Sequence, residues 1–536
     1  MHRRWHLAAA GLVASCLGLA ACSTPAGTSG TGSGGGSGNA KVKDGGHLTV
    51  ALAEAPDALD PTLGGTYVGR IVFINMCEKL YDINEHAEIV PELAAGMPKI
   101  SKDGTSYTIP LRKGIKFNDG TAFNAKAVKT TLDRNMNNKR SERALSLAAV
   151  QKVSVVDPAT VKLTLSHPYA PLTSILAARA GMILSPAQLA KLGDDFAKHP
   201  VCVGPFAFDS RPSSDKIELK KSTKYYDKDK VHLDGVTFKV VTQPSVRSAN
   251  LRSGEINVSG RIGPADVASL KSSDSTKVTS SISLGYLDLT VNVSNTNGAG
   301  KPGEKPADNT LAAHPKLRKA FALSLDRETI NKVVFNGLYK PGCTPISPAS
   351  PFFTDVPCPE QDLTKAKQLV AESGVDKPVD VTLMIRSGDN LISKLGQVVQ
   401  SMARKAGFDV HIEPVEFTTG LDRAQTGDFE IFQHKWSGRL DPDQNIAQFQ
   451  LSSSSSNYSG AHDPRIDKLL TKGRTTTAQA ERKKVYKALV QRILQTNTTI
   501  YLAHPRFVLG ISGDVGGVKY YADNLIRLKQ AGFTGS

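Results

Sequence analysis

One short run near residue 440 gathers side chains with usable chemistry: Trp436-Ser437-Gly438-Arg439-Leu440-Asp441-Pro442-Asp443. A guanidinium such as that of Arg439 presents a planar fork of donors that suits a carboxylate or phosphate and repels an ammonium. Trp436 is one of only two tryptophans, the other being Trp5. An indole supplies stacking and apolar area at low entropy cost, in a cleft or equally in a core. Asp441 brings the opposite charge, which suits an amine or pairs with Arg439 itself. A second arginine, Arg386, follows an apolar run and opens the loop SGDN. If Arg386 and Arg439 face one cleft, the molecule held there carries an anionic group; a solvated loop is the alternative for Arg386.

Other chemistries find less support. There is no HExxH, no G-x-S-x-G elbow and no Ser-x-x-Lys set with its partners, so no nucleophile or zinc-hydrolase motif marks an enzyme. The histidines are scattered without a pair at ligand spacing, and only His434 would share a strand face with Trp436. No metal site and no cofactor are expected. Gly30-x-Gly32-x-x-Gly35 matches a dinucleotide fingerprint by letters alone, inside the glycine-rich run STPAGTSGTGSGGGSG, with no strand before it and no helix after.

The first residues concern compartment. A basic start (His2, Arg3, Arg4) precedes an apolar run from Trp5 to Ala21, the length of a signal-peptide core. It ends in Leu19-Ala20-Ala21-Cys22, which resembles a bacterial lipoprotein cleavage box with Cys22 as lipid acceptor. Residues 1–21 therefore read as a leader and 22–45 as a lipidated cysteine with a flexible tether. The implied location is extracytoplasmic, on the outer face or in the periplasm. Of the six cysteines, Cys77, Cys202, Cys343 and Cys358 remain after the leader and anchor. Four cysteines allow three pairings. Cys343 and Cys358 bracket a Pro-rich loop and would close a short ring, which leaves Cys77 for Cys202. The formal charge is +16, but the basic residues are scattered and not interleaved with aromatics as a single-strand binder needs, so nucleic acid is not the expected partner.

About 500 residues follow Cys22, suited to two or three subdomains. HLTVALAEA reads as a strand, VGRIVFINMCEKLYD as a helix, and SYTIPLRKGIKFNDGTAFN as a hairpin turning at Asn118-Asp119-Gly120. Asn124 is placed to cap the helix AKAVKTTLDRNMNN. Residues 200–241 are β-rich. LGYLDLTVNVSN (284–295) alternates as a strand, and beyond it long helices alternate with the short strands VDVTLMI, FDVHIEPVEF and FEIFQHKW. A closing strand pair, TTIYLAHPRFVLGI, ends the pattern. The texture is α/β with a split near Asn292, read as a hinge hydrogen-bonder.

Specific stretches resemble a family. These are Leu59-Asp60-Pro61, Cys77-Glu78-Lys79-Leu80-Tyr81, Val90-Pro91-Glu92-Leu93-Ala94, LRKGIKFNDGTAFNAKAV (111–128), Val203-Gly204-Pro205-Phe206, HPKLRKAFALSLDRETI (314–330) and Trp436-Ser437-Gly438 followed by Asp441-Pro442. In this order they resemble the extracellular solute-binding proteins of family 5, the dipeptide-, oligopeptide- and nickel-binding components of ABC importers. The resemblance implies a two-lobed periplasmic-binding-protein-like fold of class II, type C. Lobe I would be residues 46–290 plus 504–536, with an inserted subdomain at 82–200, and lobe II residues 291–503. It implies a monomer that captures a peptide, or a peptide-like or anionic compound, between the lobes and delivers it to the permease and ATPase of the importer. An envelope hydrolase or a non-transport envelope lipoprotein is the alternative. Peptide binders of the family hold the ligand's α-ammonium with an aspartate just after a Trp-x-Gly-like motif, and Arg439 stands in that place here. Arg386 aligns with the arginine that holds the dipeptide carboxylate, and Tyr67 lies in a loop that borders the cleft in relatives. Trp436, Arg439, Asp441, Arg386 and Tyr67 are thus the candidate ligand residues.

Overall fold

A computed structural model of the chain describes residues 42–535, except 302 and 304. The leader, Cys22 and nearly all of the tether lie outside the described residues. No helix among the described residues is long and apolar enough to cross a membrane.

Two sheets organise the body. The first has seven strands in the spatial order Thr276–Ile282, Arg506–Ser512, Val258–Ser259, His47–Leu52, Gly235–Val240, Lys216–Lys221, Phe206–Ser213. His47–Leu52 sits at its centre, parallel to both neighbours. That explains why Leu48, Val50 and Ala51 are all buried: a parallel central strand is covered on both faces. The second sheet has six strands in the order Lys340–Pro341, Thr499–His504, Tyr286–Val291, Ile431–Trp436, Val379–Arg386, Phe408–Val415. Helix Asn390–Arg404 joins its two parallel outer strands, as a βαβ unit requires. Ile392, Leu395, Val399, Met402 and Ala403 recur at helical spacing and form the buried face. A four-stranded sheet, Lys99–Ile100, Ser106–Pro110, Thr160–Leu165 and Val150–Asp157, packs with helix Ala125–Asn137 inside the stretch 82–200. Its apolar core is continuous with that of the seven-stranded sheet.

The Asn124 cap and the expected cysteine pairing are both present, and a glycine ends another helix. Asn124 caps its helix by accepting from the Ala127 amide at 3.1 Å. Helix Pro244–Ser253 stops at Gly254, whose φ of +80° is the left-handed conformation glycine adopts freely. Cys77 is bonded to Cys202 and Cys343 to Cys358.

Two expectations are corrected. The turn at Asn118-Asp119-Gly120 holds, closed by the bridge Lys116–Ala122 and the Phe117-to-Thr121 and Phe123-to-Ile115 hydrogen bonds, but the stretch 106–124 is not one hairpin, because Ser106–Pro110 pairs with Thr160–Leu165, 50 residues on. Alternation marks a strand but does not name its partner. The lobe boundary also moves. Strand Tyr286–Val291, all but its last residue assigned with 46–290 to the first lobe, pairs with Ile431–Trp436 and Thr499–His504 in the second sheet. The chain crosses between sheets at 283–285 and again at Pro505. Asn292 lies past the crossing, where its amide donates to the Gly427 and Asn295 carbonyls.

The two crossings touch. The Ser283 amide donates to the Pro505 carbonyl at 2.8 Å, and Nδ1 of buried His504 donates to the Gly285 carbonyl at 2.9 Å. Burial pushes the imidazole down to about 4, so it stays neutral with its proton on Nδ1. Gly285 is needed because a Cβ there would stand 2.0 Å from the Trp436 carbonyl oxygen. The crossings therefore pack directly against the Trp436–Arg439 loop.

Candidate functional site

Strand Ile431–Trp436 delivers Trp436 to the crossings, and the chain then turns through Gly438. At φ +80°, with a Cβ position 2.3 Å from the Gly285 nitrogen, only glycine fits there. The turn is clamped by Asn445, whose Oδ1 accepts from the Arg439 amide at 2.7 Å and from the Trp436 indole at 2.9 Å. Its Nδ2 donates to the Arg439 carbonyl at 2.8 Å. Sequence reasoning missed Asn445: an asparagine inside helix Pro442–Gln450 carries no signal of its own, since its partners are set only by the fold. Arg439 lies 4.4 Å over the Trp436 ring and donates to Ser437 Oγ and the Gly438 carbonyl.

Asp441 is engaged by Arg482 and borders a separate cavity of about 480 Å³, not the recess of Arg439. It is 1% exposed, and its two oxygens accept from Nη1 and Nη2 of Arg482, both at 2.8 Å. It also caps helix Pro442–Gln450 through the Asp443 amide. A carboxylate so paired is free neither for a ligand amine nor for Arg439.

The wall facing Arg439 comes from the other lobe. Arg70, on helix Tyr67–Met76, and Arg179, in the turn Arg179–Gly181, line one recess of about 30 Å³ together with Arg439. Arg143 adds its charge to the same group. Nη1 of Arg179 donates to the Gly64 carbonyl at 2.6 Å and Nη2 of Arg143 to the same oxygen at 3.2 Å. Asp523 lines the recess, but both its oxygens accept from Arg527. None of the four arginines has a carboxylate oxygen within 4.0 Å among the described residues. Burial, then Arg70 and Arg143, push the Arg439 guanidinium down to about 9. Burial likewise lowers Arg143 to about 10 and Arg179 well below its ordinary value. After burial, the neighbouring arginines lower all three, while the carboxylates of Glu142 and Asp57 act against the shift of Arg143 and Asp57 against that of Arg179.

Trp436 also borders a cavity of about 360 Å³ on the second lobe, with Arg386, Lys435, Phe417, Phe449 and Tyr458. Arg386 stands 4.9 Å over Phe417 at its mouth. Lys435 is open to water in the cleft yet crowded by protein on its other sides. That crowding, then Arg261, lowers its ammonium to about 8. His434 is held by Asp288 at 3.1 Å. Tyr67 lies on the first lobe in a separate small recess beside Arg261, which sits 4.3 Å over its ring; its hydroxyl donates to the Asn524 carbonyl. Trp436 thus joins Arg439 on one side and Arg386 on the other, while Tyr67 lies apart in its own recess on the first lobe.

Two lobes joined by two short crossings, with a cation-lined recess between them, define a binding protein that closes over a solute. The chain belongs to the bacterial extracellular solute-binding proteins, family 5, whose model matches residues 88–458. It is 27% identical to the glutathione-binding protein GsiB of Pectobacterium atrosepticum over 497 residues, 90% of this chain and 94% of the relative. Among solved structures, it resembles the ABC transporter substrate-binding protein CtaP of Listeria monocytogenes with a TM-score of 0.82 at 23% identity, covering 92% of this chain and all of the other. AgaA of A. tumefaciens R10, solved with agropinic acid, gives a TM-score of 0.73 at 26% identity, over 90% of this chain and 96% of AgaA. The chain is a solute-binding component of an ABC importer, with the two-lobed fold that its family membership implies.

Proposed function

We propose that this protein is a lipid-anchored, monomeric and non-catalytic receptor that captures a small acid-bearing, peptide-type solute between its lobes. Anchored through Cys22, it would hand that solute to a membrane permease powered by its ATPase. The observation that carries the reading is the group Arg70, Arg143, Arg179 and Arg439, which gathers positive charge from both lobes without a carboxylate partner. Like charges buried together oppose closure of the lobes, and an anion seated among them reverses the sign of that term. A ligand with such differential affinity shifts the population toward the closed form that a permease recognises. Two named relatives point the same way: glutathione and agropinic acid both carry carboxylates.

A thermal-shift screen of peptides, opines, sugars and metal chelates tests the reading, because a ligand that binds only the folded chain raises Tm by mass action. Acid-bearing compounds are expected to respond and to be recovered unchanged. Stabilisation only by cationic amines would refute the assignment of the arginine group, and turnover of the compound would refute a non-catalytic role.

A further inference from the structure

The interlobe face carries a second group of unpaired cations, and it narrows the class of solute. Arg261 comes from the seven-stranded side, Lys435 and Arg386 from the six-stranded side. Arg261 lies 5.9 Å and the Lys435 ammonium 5.5 Å from the centre of the same ring, Phe507, so the two lobes present positive charge to one spot. None of the three has a carboxylate oxygen within 4.0 Å among the described residues. Two acids, Asp389 and Glu416, border the cavity that Arg386 and Lys435 line, and each keeps its charge while it caps a helix: Asp389 Oδ1 accepts from the amides of Leu391 and Ile392 at 3.0 and 3.3 Å, and Glu416 accepts from those of Thr418 and Thr419, which leaves three cations against two carboxylates. Aromatic rings soften the cost of a cation but do not neutralise it. Nε of Arg261 and Nε of Arg143, one in each group, are both buried without a hydrogen-bond partner.

The two groups are tied by one stretch of chain, Lys435 to Arg439. The strand ends at Trp436 and the chain turns at Gly438, so Lys435 and Arg439 face two neighbouring recesses of one wall. Trp436 lies between Lys435 and Arg439 in the chain, and Arg386 and Lys435 line the same aromatic cavity as Trp436. We propose that the ligand is an elongated compound with two acidic groups, one held by Arg70, Arg179 and Arg439 and the other by Arg261, Arg386 and Lys435, its middle lying on Trp436. This rests on the reading of the cleft as an acid-binding site. It adds a second acid, and it excludes a free ammonium as the group that anchors either end.

The test is calorimetric titration of the full chain with three probes, N-acetyl-γ-glutamylglycine, N-acetylglutathione and octanedioic acid, each as the diacid, the monoamide and the diamide. Hydrogen bonds to charged groups contribute enough that each diacid that binds should do so about ten- to a hundredfold more tightly than its monoamide. Arg439→Gln and Lys435→Gln, each tested separately, should bring diacid affinity down to the monoamide level while leaving Tm of the free protein unchanged or raised. Monoamides binding as tightly as diacids would overturn the two-acid inference and leave the acid-binding reading standing. Diamides binding best, or no response to any form, would overturn both.

Discussion

A guanidinium repels an ammonium, and Arg70 and Arg143 add to that repulsion at Arg439 instead of cancelling it. Asp441, the carboxylate that could have restored an amine site, is consumed by Arg482. Removing one partner of a buried ion pair leaves the other charge uncompensated, so Arg482→Met should lower stability by about 3–5 kcal/mol in urea denaturation. Unchanged stability with lost ligand affinity would instead place Asp441 in the binding site. Lys435 offers a check by pH. Its ammonium is lowered to about 8, so it loses its proton as pH rises through that value, and affinity for an acidic ligand should fall from about pH 8 upward. Lys435→Gln should flatten that part of the profile; an unchanged profile would mean that Lys435 does not face the ligand. The chemistry of Arg439 was legible from the run Trp436 to Asp443 alone. Its companions were not: Arg70, Arg143 and Arg179 are far apart in sequence, and each reads as an ordinary surface arginine until the fold sets it opposite Arg439.

At the scale of elements, the site depends on how two chain crossings meet the Trp436–Arg439 loop. Strands were recognisable by alternation, yet Tyr286–Val291 has the same apolar pattern whichever sheet receives it, so its lobe could not be read. The same ambiguity hid the partner of Ser106–Pro110. Caps are local chemistry, and one was readable at Asn124. His504, at the second crossing, gives the hinge a pH signature. Its pKa in the folded chain is about 4 against an ordinary 6.5. Between those values the unfolded chain binds more protons, so stability is full above about pH 6.5 and is lost as pH falls toward 4. At 1.36 kcal/mol per unit the loss from this residue is at most about 3 kcal/mol. His504→Asn should show a shallower decline of urea-unfolding stability between pH 6.5 and 4 than the parent chain. Equal slopes would mean that the imbalance lies elsewhere.

For the whole molecule, the account links charge to motion. Each lobe brings cations to the recess: Arg70, Arg143 and Arg179 from one side, Arg439 from the other. Closing an empty cleft concentrates like charges, and closing on an acid pairs them, so the solute supplies the free energy that selects the closed state. Family membership establishes the capture mechanism, and the arginines point to the charge of the cargo. Native mass spectrometry of the full chain purified from its own cells tests this most directly. The account predicts a 1:1 adduct of a small compound with acidic groups, released unchanged and absent from Arg439→Asp. A bound compound without an acidic group, or the same adduct retained by Arg439→Asp, would contradict it.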